Sequence, residues 1–200
     1  AKKCSGELLD IIGPLGKGFD YAATLKQPAR HILIAGGMGV APLALLADKI
    51  IRQKRHNRSD APSSVIVLLG AATQKQIFCE HYFKEKGCTV FVATEDGSRG
   101  LKGTATDLFS KKILLEAARL KKTKALHPSV FAYACGPRLM LQKLAKDCII
   151  HKIPLQVSLE EFMGCGIGAC LGCALLTKSG YKRDCSDGPV FDAGDIVWKF

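Results

Sequence analysis

Residues 31–42 read His-Ile-Leu-Ile-Ala-Gly-Gly-Met-Gly-Val-Ala-Pro, a short apolar run that passes directly into a glycine-rich loop. A run of this length, rich in branched apolar side chains, predicts a strand buried on both faces. The residues after the loop, 41–53, have the amphipathic pattern of a helix. A strand, a glycine loop and a helix in this order predict the first unit of a nucleotide-binding α/β domain.

The same alternation of apolar runs and amphipathic stretches continues to about residue 160. The predicted strands are residues 31–35, 65–70, 89–93, 130–134 and 155–159, and the predicted helices are residues 41–53, 74–85, 106–120 and 139–148. Strands that alternate with crossover helices form parallel sheets. The sequence therefore predicts an α/β fold with a doubly wound parallel sheet of five strands.

After residue 160 the pattern changes to glycine, cysteine and short polar turns. We place a domain boundary at this change and predict a small C-terminal domain over residues 161–200. Residues 29–160 form the predicted nucleotide-binding domain, which residues 1–28 precede.

The loop after the first predicted strand supplies five candidate dinucleotide ligands: Gly36, Gly37, Met38, Gly39 and Pro42. Glycines at this junction let the backbone approach a pyrophosphate, whose charge is then met by the helix N-terminus. Pro42 occupies the place of the third glycine of the dinucleotide fingerprint, where a first-turn proline loses no helix hydrogen bond. The alternative is a plain tight turn between strand and helix.

The third predicted strand ends in Thr94, Glu95 and Asp96, followed by Gly97. Doubly wound sheets bind ligands beyond the carboxyl ends of their strands, so these residues face the same crevice as the glycine loop. Acidic side chains there can accept hydrogen bonds from a ribose diol and repel a 2′-phosphate. Asp-Gly is also a favourable turn sequence, and both interpretations stay open.

The fourth predicted strand ends in Cys135, Gly136 and Pro137. A small thiol and a bare glycine would admit a flat ring close to the backbone, and Cys135 is the candidate catalytic residue. The alternative is a buried cysteine that precedes a helix-starting Gly-Pro pair.

Four cysteines near the C-terminus, Cys165, Cys170, Cys173 and Cys185, are separated by four, two and eleven residues. This is the plant-type spacing of the cysteines that bind a [2Fe–2S] cluster. Glycines at 164, 166, 168 and 172 make it sterically possible for the chain to wrap around such a cluster. The alternative is a structural zinc site, although only Cys170 and Cys173 form the short pair that such sites use twice.

The chain has 200 residues, 48% of them apolar, which is enough to bury one core and a small appended domain. Much of its net charge of +11 lies at residues 49–58 and 111–124. Both groups fall late in predicted helices, where cations favour the negative end of the dipole, and no aromatic residues interleave with them for base stacking. We therefore expect solvated helix ends and no nucleic-acid partner.

No apolar run reaches the roughly 18 residues that span a bilayer, and no hydrophobic segment follows the first residues as a signal peptide would. The nine cysteines are too dispersed for a disulfide scaffold, so Cys4, Cys79, Cys88, Cys135 and Cys148 are interpreted as reduced thiols. The sequence predicts a cytoplasmic protein with no membrane partner.

Five segments stand in the order found in ferredoxin–NADP reductase-like proteins: Gly-Pro-Leu-Gly-Lys-Gly-Phe at 13–19, Gly-Gly-Met-Gly-Val-Ala-Pro at 36–42, Thr-Glu-Asp-Gly-Ser at 94–98, Cys-Gly-Pro at 135–137 and the cysteine-rich run at 158–173. With Cys-Ser-Asp-Gly-Pro-Val-Phe at 185–191, they make the chain resemble the electron-transfer subunits of NAD-dependent dihydroorotate dehydrogenase. The resemblance covers nearly the whole chain.

This resemblance implies that the four cysteines hold the cluster and that the three strand ends hold NAD. It also implies that FAD lies against Gly13, Pro14, Leu15 and Gly16. The family normally carries an N-terminal β-barrel of roughly a hundred residues that cradles FAD. Residues 1–28 resemble only a remnant of that barrel and its linker, with residues 7–12 as its last strand, so the FAD site is expected to be incomplete.

The implied function is electron transfer between NAD(H), FAD and the FMN-containing catalytic subunit of dihydroorotate dehydrogenase, within a hetero-oligomer of pyrimidine biosynthesis. Because a nicotinamide gives up a hydride whereas the cluster accepts one electron, a flavin must stand between them. The isolated chain is therefore expected to be inactive without a flavin domain. The alternatives are an electron-input subunit of a hydrogenase or glutamate synthase-like complex, and a non-catalytic nucleotide-binding or redox-sensing module.

Overall fold

The computed structural model describes residues 4–26, 29–56, 64–115 and 129–198. Its strands are β1 (Ala29–Gly36), β2 (Val65–Ala71), β3 (Thr89–Thr94), β4 (Leu101–Lys102), β5 (Ser129–Cys135), β6 (Leu155–Ser158), β7 (Ala174–Thr177), β8 (Gly180–Arg183) and β9 (Val190–Asp192). Its α-helices are α1 (Val40–His56), α2 (Glu80–Glu85), α3 (Ala105–Phe109), α4 (Arg138–His151) and α5 (Asp184–Asp187).

The main sheet has the strand order β4-β3-β2-β1-β5-β6-β9. The five predicted strands are β1, β2, β3, β5 and β6, and neighbouring members of this set pair in parallel. The predicted α/β doubly wound parallel sheet is thus confirmed, but the described sheet has seven strands instead of five. β4 and β9 have only two and three residues, too few to give a periodic apolar pattern, and β9 pairs antiparallel with β6.

Helices cover both faces of this sheet because each face is lined by apolar side chains. One buried cluster joins the strands to Leu43, Leu46 and Ile50 of α1 and to Phe83 of α2. The opposite cluster contains residues of α3 and α4: Leu108, Phe109, Leu141, Leu144 and Ala145. This division of helices between two faces defines the doubly wound arrangement.

Two predicted helices differ from the structure. The prediction for residues 74–85 is wrong in its first half, where a short 3-10 turn (Gln74–Gln76) precedes α2. Cys79 separates the two with a left-handed φ of 62°, which interrupts a right-handed helix. The predicted helix 106–120 begins as α3 and continues as a π-helical turn (Ser110–Leu114). Residues 116–120 lie outside the described part of the chain.

Residues 7–12, predicted as the last strand of a barrel, form no strand in the described structure. Their apolar side chains are exposed, with Leu8 at 91% and Ile11 at 81%. A strand is stabilised by pairing with neighbouring strands and by burial of one face, and the described residues provide neither along this segment.

The segment after residue 160 returns to the main sheet and contributes to its core. β9 pairs with β6, and Leu175, Ala193 and Ile196 belong to the same buried cluster as α3 and α4. The Trp198 indole N–H donates to the Ala193 carbonyl over 2.8 Å, which fixes the last described turn against this cluster. The C-terminal segment therefore shares a core with the α/β sheet. A separate domain over residues 161–200 stays a prediction.

The two basic regions are only partly described. Arg52 lies 3.9 Å from Asp48, and the Lys112 ammonium lies 4.8 Å from the centre of the Phe91 ring. Other members of these regions, Arg58, Arg119, Lys121, Lys122 and Lys124, lie outside the described residues. Among the helices that are described, none combines the length and the apolar character needed to cross a membrane.

The shared core can be tested at adjacent positions of the C-terminal segment. Replacing Ile196 by alanine should lower the free energy of unfolding of the sheet by about 2–4 kcal/mol, because Ile196 is buried in the common cluster. Replacing Val197, which is 41% exposed, should have an effect of less than about 1 kcal/mol. Chemical denaturation followed by circular dichroism measures both, and equal effects would contradict the shared core.

Candidate dinucleotide cleft and iron–sulfur site

A cleft of about 550 Å³ opens at the carboxyl ends of the central strands, between α3 and α4. Its walls come from the loops after β1, β2, β3 and β5 and from the first turns of the two helices. The chain runs from β1 toward β2 on one side and returns through β5 on the other side, so the cleft lies where the strand order reverses. This is the position at which open α/β sheets bind ligands.

The glycine loop forms one wall of the cleft. Gly36, Gly37 and Met38 line it directly. Gly39 lies beneath them, because a Cβ atom there would lie 2.2 Å from the Cys135 carbonyl oxygen. Gly39 is therefore needed for the loops after β1 and β5 to touch. Pro42 does not line the cleft but faces a second groove with Leu15 and Lys49, so its predicted pyrophosphate contact lacks support from this geometry.

The three candidates after β3 have different surroundings. Glu95 lines the cleft, as a ribose ligand would. Asp96 instead accepts hydrogen bonds from the Ser98 hydroxyl and backbone N–H, which hold the pKa of its carboxyl below the usual value. Thr94 is buried, and its hydroxyl accepts from the Arg99 N–H and donates to the Arg99 carbonyl. The turn contacts of Asp96 use one of its two carboxylate oxygens, and ribose binding by Thr94, Glu95 and Asp96 stays a prediction.

The residues after β5 contribute mainly to the shape of the cleft. Pro137 lines the cleft, and Gly136 lets this loop pack on Gly36, since a Cβ on Gly136 would lie 2.9 Å from the Gly36 Cα. Cys135 is 2% exposed, and burial raises the pKa of its thiol, although a hydrogen bond with Ser158 acts in the opposite direction. The thiol is thus neutral and packed in the buried cluster beneath α1 and α2, and a catalytic role for Cys135 stays a prediction.

Sequence reasoning missed several residues of the cleft. Phe78, which is 46% exposed, and Lys143 both line it, and neither belongs to a recognisable motif. Asp107 lines it as well and forms a capping box with Thr104 at the start of α3. The Thr-x-x-Asp spacing could have predicted this cap, since it begins an amphipathic segment. Lys143 could not have been found, because its place depends on how α4 packs against α3.

The four cysteines of the predicted cluster come together as two pairs. The Cys173 and Cys185 sulfurs lie 3.4 Å apart, and the Cys170 N–H donates to the Cys165 sulfur over 3.3 Å. Within the described residues, no three cysteine, histidine or carboxylate side chains are grouped closely enough to hold one metal ion. Two pairs of thiols suit a cluster that takes two ligands on each of two irons.

The loop around Cys165 suits a thiolate ligand. Backbone N–H groups of Cys170 and Ile167 point at the Cys165 sulfur and lower the pKa of its thiol to about 6. Gly166 and Gly168 have φ angles of 71° and 81°, which residues with a side chain rarely adopt. The cysteine run therefore folds so that donors face sulfur, and the residues present fit a [2Fe–2S] cluster.

Neighbouring residues hold the cysteine loop in place. The Arg183 guanidinium donates to the Gly168 carbonyl over 2.6 Å, and the Asp184 N–H donates to the Cys173 carbonyl over 3.0 Å. Asp184 is completely buried, and this burial, together with the nearby charge of Glu161, raises the pKa of its carboxyl to about 6. These supports connect the segment of the first three cysteines to the segment of Cys185.

The segment predicted to face FAD is attached to the loop that follows Cys185. The Lys17 N–H donates to the Gly188 carbonyl, and the Val190 N–H donates to the Lys17 carbonyl. Gly16 permits this approach, because a Cβ atom there would lie 2.2 Å from the Gly188 oxygen. Leu15 is half exposed at the tip of the loop. The described residues thus offer one flank for a flavin, and contact of residues 13–16 with FAD stays a prediction.

Comparison with known proteins adds two matches to family models. The oxidoreductase NAD-binding domain matches residues 33–146, which include the glycine loop and the ends of β3 and β5. The iron–sulfur cluster binding domain of dihydroorotate dehydrogenase B matches residues 160–197, which include all four cysteines.

Whole-chain relatives agree with these matches. The chain is 39% identical over 199 residues to the electron transfer subunit of dihydroorotate dehydrogenase B (NAD(+)) from Geobacillus thermodenitrificans, covering 98% of this chain and 68% of that protein. The chain belongs to this family. The Desulforamulus reducens member is 35% identical over 199 residues, covering 97% of this chain and 67% of the relative. The chain thus spans about two thirds of the length of these dihydroorotate dehydrogenase B electron transfer subunits.

A solved structure resembles this family member over nearly its whole length. It belongs to a study of flavin-based electron bifurcation by NADH-dependent reduced ferredoxin–NADP oxidoreductase. The TM-score is 0.73 at 27% sequence identity, with 98% of this chain and 63% of that chain covered. The predicted resemblance to ferredoxin–NADP reductase-like proteins is therefore confirmed at the level of structure.

The cluster assignment predicts that cluster content depends on the half-buried Cys170 but not on the buried Cys88. Replacing Cys170 by serine should remove or destabilise the cluster, because one of the two thiol pairs is broken. Replacing Cys88, which is buried below α2, by alanine should leave cluster content unchanged. Anaerobic iron and sulfide analysis, with visible absorption, should give about two irons and two sulfides per chain for the parent protein. Stoichiometric zinc without visible absorption would contradict the assignment.

Proposed function

We propose that this chain is an electron-transfer subunit that connects NAD(H), through FAD and a [2Fe–2S] cluster, to a dehydrogenase that oxidises dihydroorotate in pyrimidine biosynthesis. The observation that carries the proposal is that one fold holds both the dinucleotide cleft and the four-cysteine site. β6 and β9 join them, since β6 follows the cleft-lining helix α4 and β9 follows the Cys185 helix α5.

The residues of the chain would position these groups rather than act as acids or bases. The 36–38 loop would hold the pyrophosphate, Pro137 would lie beside the nicotinamide, and the four cysteines would hold the cluster. When bound, FAD exchanges a hydride with nicotinamide and single electrons with the cluster. The neutral, buried Cys135 adds no charge beside the nicotinamide position.

The contact between the 13–19 segment and the Cys185 segment supports a short route between flavin and cluster. Lys17 forms a parallel bridge with Pro189, four residues after the cluster ligand Cys185. A Cβ atom on Gly16 would also lie 3.1 Å from the Cys185 carbonyl oxygen. Backbone of the flavin flank therefore touches backbone of a cluster ligand.

The partner would be the FMN-containing catalytic subunit of the dehydrogenase, bound in a hetero-oligomer. Large apolar side chains are exposed beside the cysteines, with Phe162 at 97%, Leu171 at 74% and Ile167 at 54%. Clustered exposed apolar residues favour a protein interface, here one that would bring a redox partner close to the cluster. The ligand thiols must stay reduced until the cluster is bound, which supports a cytoplasmic location.

A second candidate is an electron-input subunit of another redox complex. The similarity to the NADH-dependent reduced ferredoxin–NADP oxidoreductase chain favours it, because that likeness also covers nearly all of this chain. Mixing the flavin-loaded protein with each partner distinguishes the two functions. Reduction of NAD⁺ by dihydroorotate through the dehydrogenase subunit supports the first, whereas reduction that requires ferredoxin supports the second.

Glu95 predicts a preference for NADH over NADPH. A carboxylate near a 2′-phosphate should weaken NADPH binding by about one to two orders of magnitude. Replacing Glu95 by glutamine should reduce this preference about tenfold, whereas replacing Asp147, which lies on α4 outside the cleft lining, by asparagine should not. Titration with both nucleotides measures the ratio, and tighter NADPH binding by the parent protein would contradict the prediction.

The need for a flavin gives a kinetic prediction. NADH should bleach the cluster of this chain slowly without flavin, because a hydride has no single-electron route to iron. FAD together with a flavin-binding barrel, in cis or as a separate chain, should restore fast bleaching. Anaerobic stopped-flow absorbance measures both rates. Rapid bleaching by the flavin-free chain would refute the proposed route.

A further inference from the structure

The described lining of the dinucleotide cleft has more negative than positive side chains, although a dinucleotide is itself negatively charged. Among the described residues of its lining, Glu95 and Asp107 are acidic and Lys143 is the single cation. NAD(H) would bring two more negative charges in its pyrophosphate. Backbone N–H groups of the glycine loop can donate hydrogen bonds to the phosphates. Lys143 is the cation that the described lining provides as their ionic partner.

Lys143 extends the wall that begins at the glycine loop. It lies three residues after Met140 in α4, so the two side chains share one face of the helix. Met140 packs on the loop itself, because a Cβ atom on Gly36 would lie 2.8 Å from the Met140 sulfur. The ammonium of Lys143 therefore approaches the cleft from the helix face that contacts the pyrophosphate loop.

In the described structure, the Lys143 ammonium lies 3.5 Å from one carboxylate oxygen of Asp107. The other Asp107 oxygen accepts the backbone N–H and the hydroxyl of Thr104, both over 2.8 Å. The capping box thus fixes Asp107, and Asp107 keeps the ammonium at the rim of the cleft. The Lys143 side chain is 53% exposed, so this ion pair is weak and easily exchanged.

We propose that Lys143 is the cationic contact of the NAD(H) pyrophosphate and that its ammonium moves from Asp107 to the phosphates when the dinucleotide binds. The proposal rests on the dinucleotide site of the proposed function. The pyrophosphate carries two negative charges and can accept charge-assisted hydrogen bonds from the ammonium, whereas Asp107 offers it a single exposed contact at 3.5 Å. Lys143 suits the pyrophosphate better than a 2′-phosphate. The pyrophosphate loop follows β1, whereas a 2′-phosphate would lie near Glu95 at the end of β3, which is two strands, or about 10 Å, away.

The test compares three variants of this chain in equilibrium titrations. Replacing Lys143 by methionine removes the charge, and replacing it by arginine retains the charge. Replacing Lys146 by methionine is the matched control, since Lys146 is exposed on the same helix but does not line the cleft. The ligands are NAD⁺, ADP-ribose, 2′-AMP and adenosine, which separate the pyrophosphate from a 2′-phosphate and from the base.

The methionine variant at 143 should bind NAD⁺ and ADP-ribose about tenfold more weakly, with a smaller dependence on salt. The arginine variant and the Lys146 control should change these affinities less than about threefold, and no variant should change adenosine binding. Equal losses at 143 and 146, an equal loss for adenosine, or a loss confined to 2′-AMP would each overturn the proposal. If the parent chain binds none of the dinucleotide ligands, the proposed function fails together with this inference.

Discussion

The fold depends on the close contact between two backbone loops at the centre of the sheet. The loop after β1 can touch the loop after β5 because Gly36, Gly39 and Gly136 carry no side chain. A methyl group on Gly39 would lie 2.2 Å from the Cys135 carbonyl oxygen, which no rotation of a side chain could relieve. This contact lies where the strand order reverses, and the cleft and the first turn of α4 lie beside it.

Long-range packing, more than local sequence, determines the features that the sequence did not predict. The five long strands and the cysteine spacing could be predicted, because each has a pattern within a few residues. β4 and β9 could not, since they exist only where longer strands offer an edge. Asp96 was ambiguous because a carboxylate before glycine suits both a ribose and a turn, and its contacts with Ser98 depend on the folded loop. Lys143 depends on the packing of α4 against α3.

The cluster segment shows the same dependence on distant contacts. Its glycines and cysteines predict the loop, but Arg183 and Asp184 hold that loop through hydrogen bonds to Gly168 and Cys173. Buried carboxyls such as Asp184 are rarely evident from sequence, because an acidic residue beside a turn usually faces solvent. At residues 7–12 a strand was predicted that the described structure does not contain. An apolar run resembles a strand whether or not the described chain offers another strand for it to pair with.

The short strand β9 also covers one edge of the main sheet. An open edge of a parallel sheet presents unpaired N–H and C=O groups that can recruit a second chain and begin aggregation. β9 pairs with three of the four residues of β6 and, at three residues, itself presents only a short edge for such intermolecular pairing. β9 belongs to the cysteine-bearing segment, so loosening of that segment would uncover the edge of β6. The segment that would carry electrons therefore also disfavours aggregation through this edge.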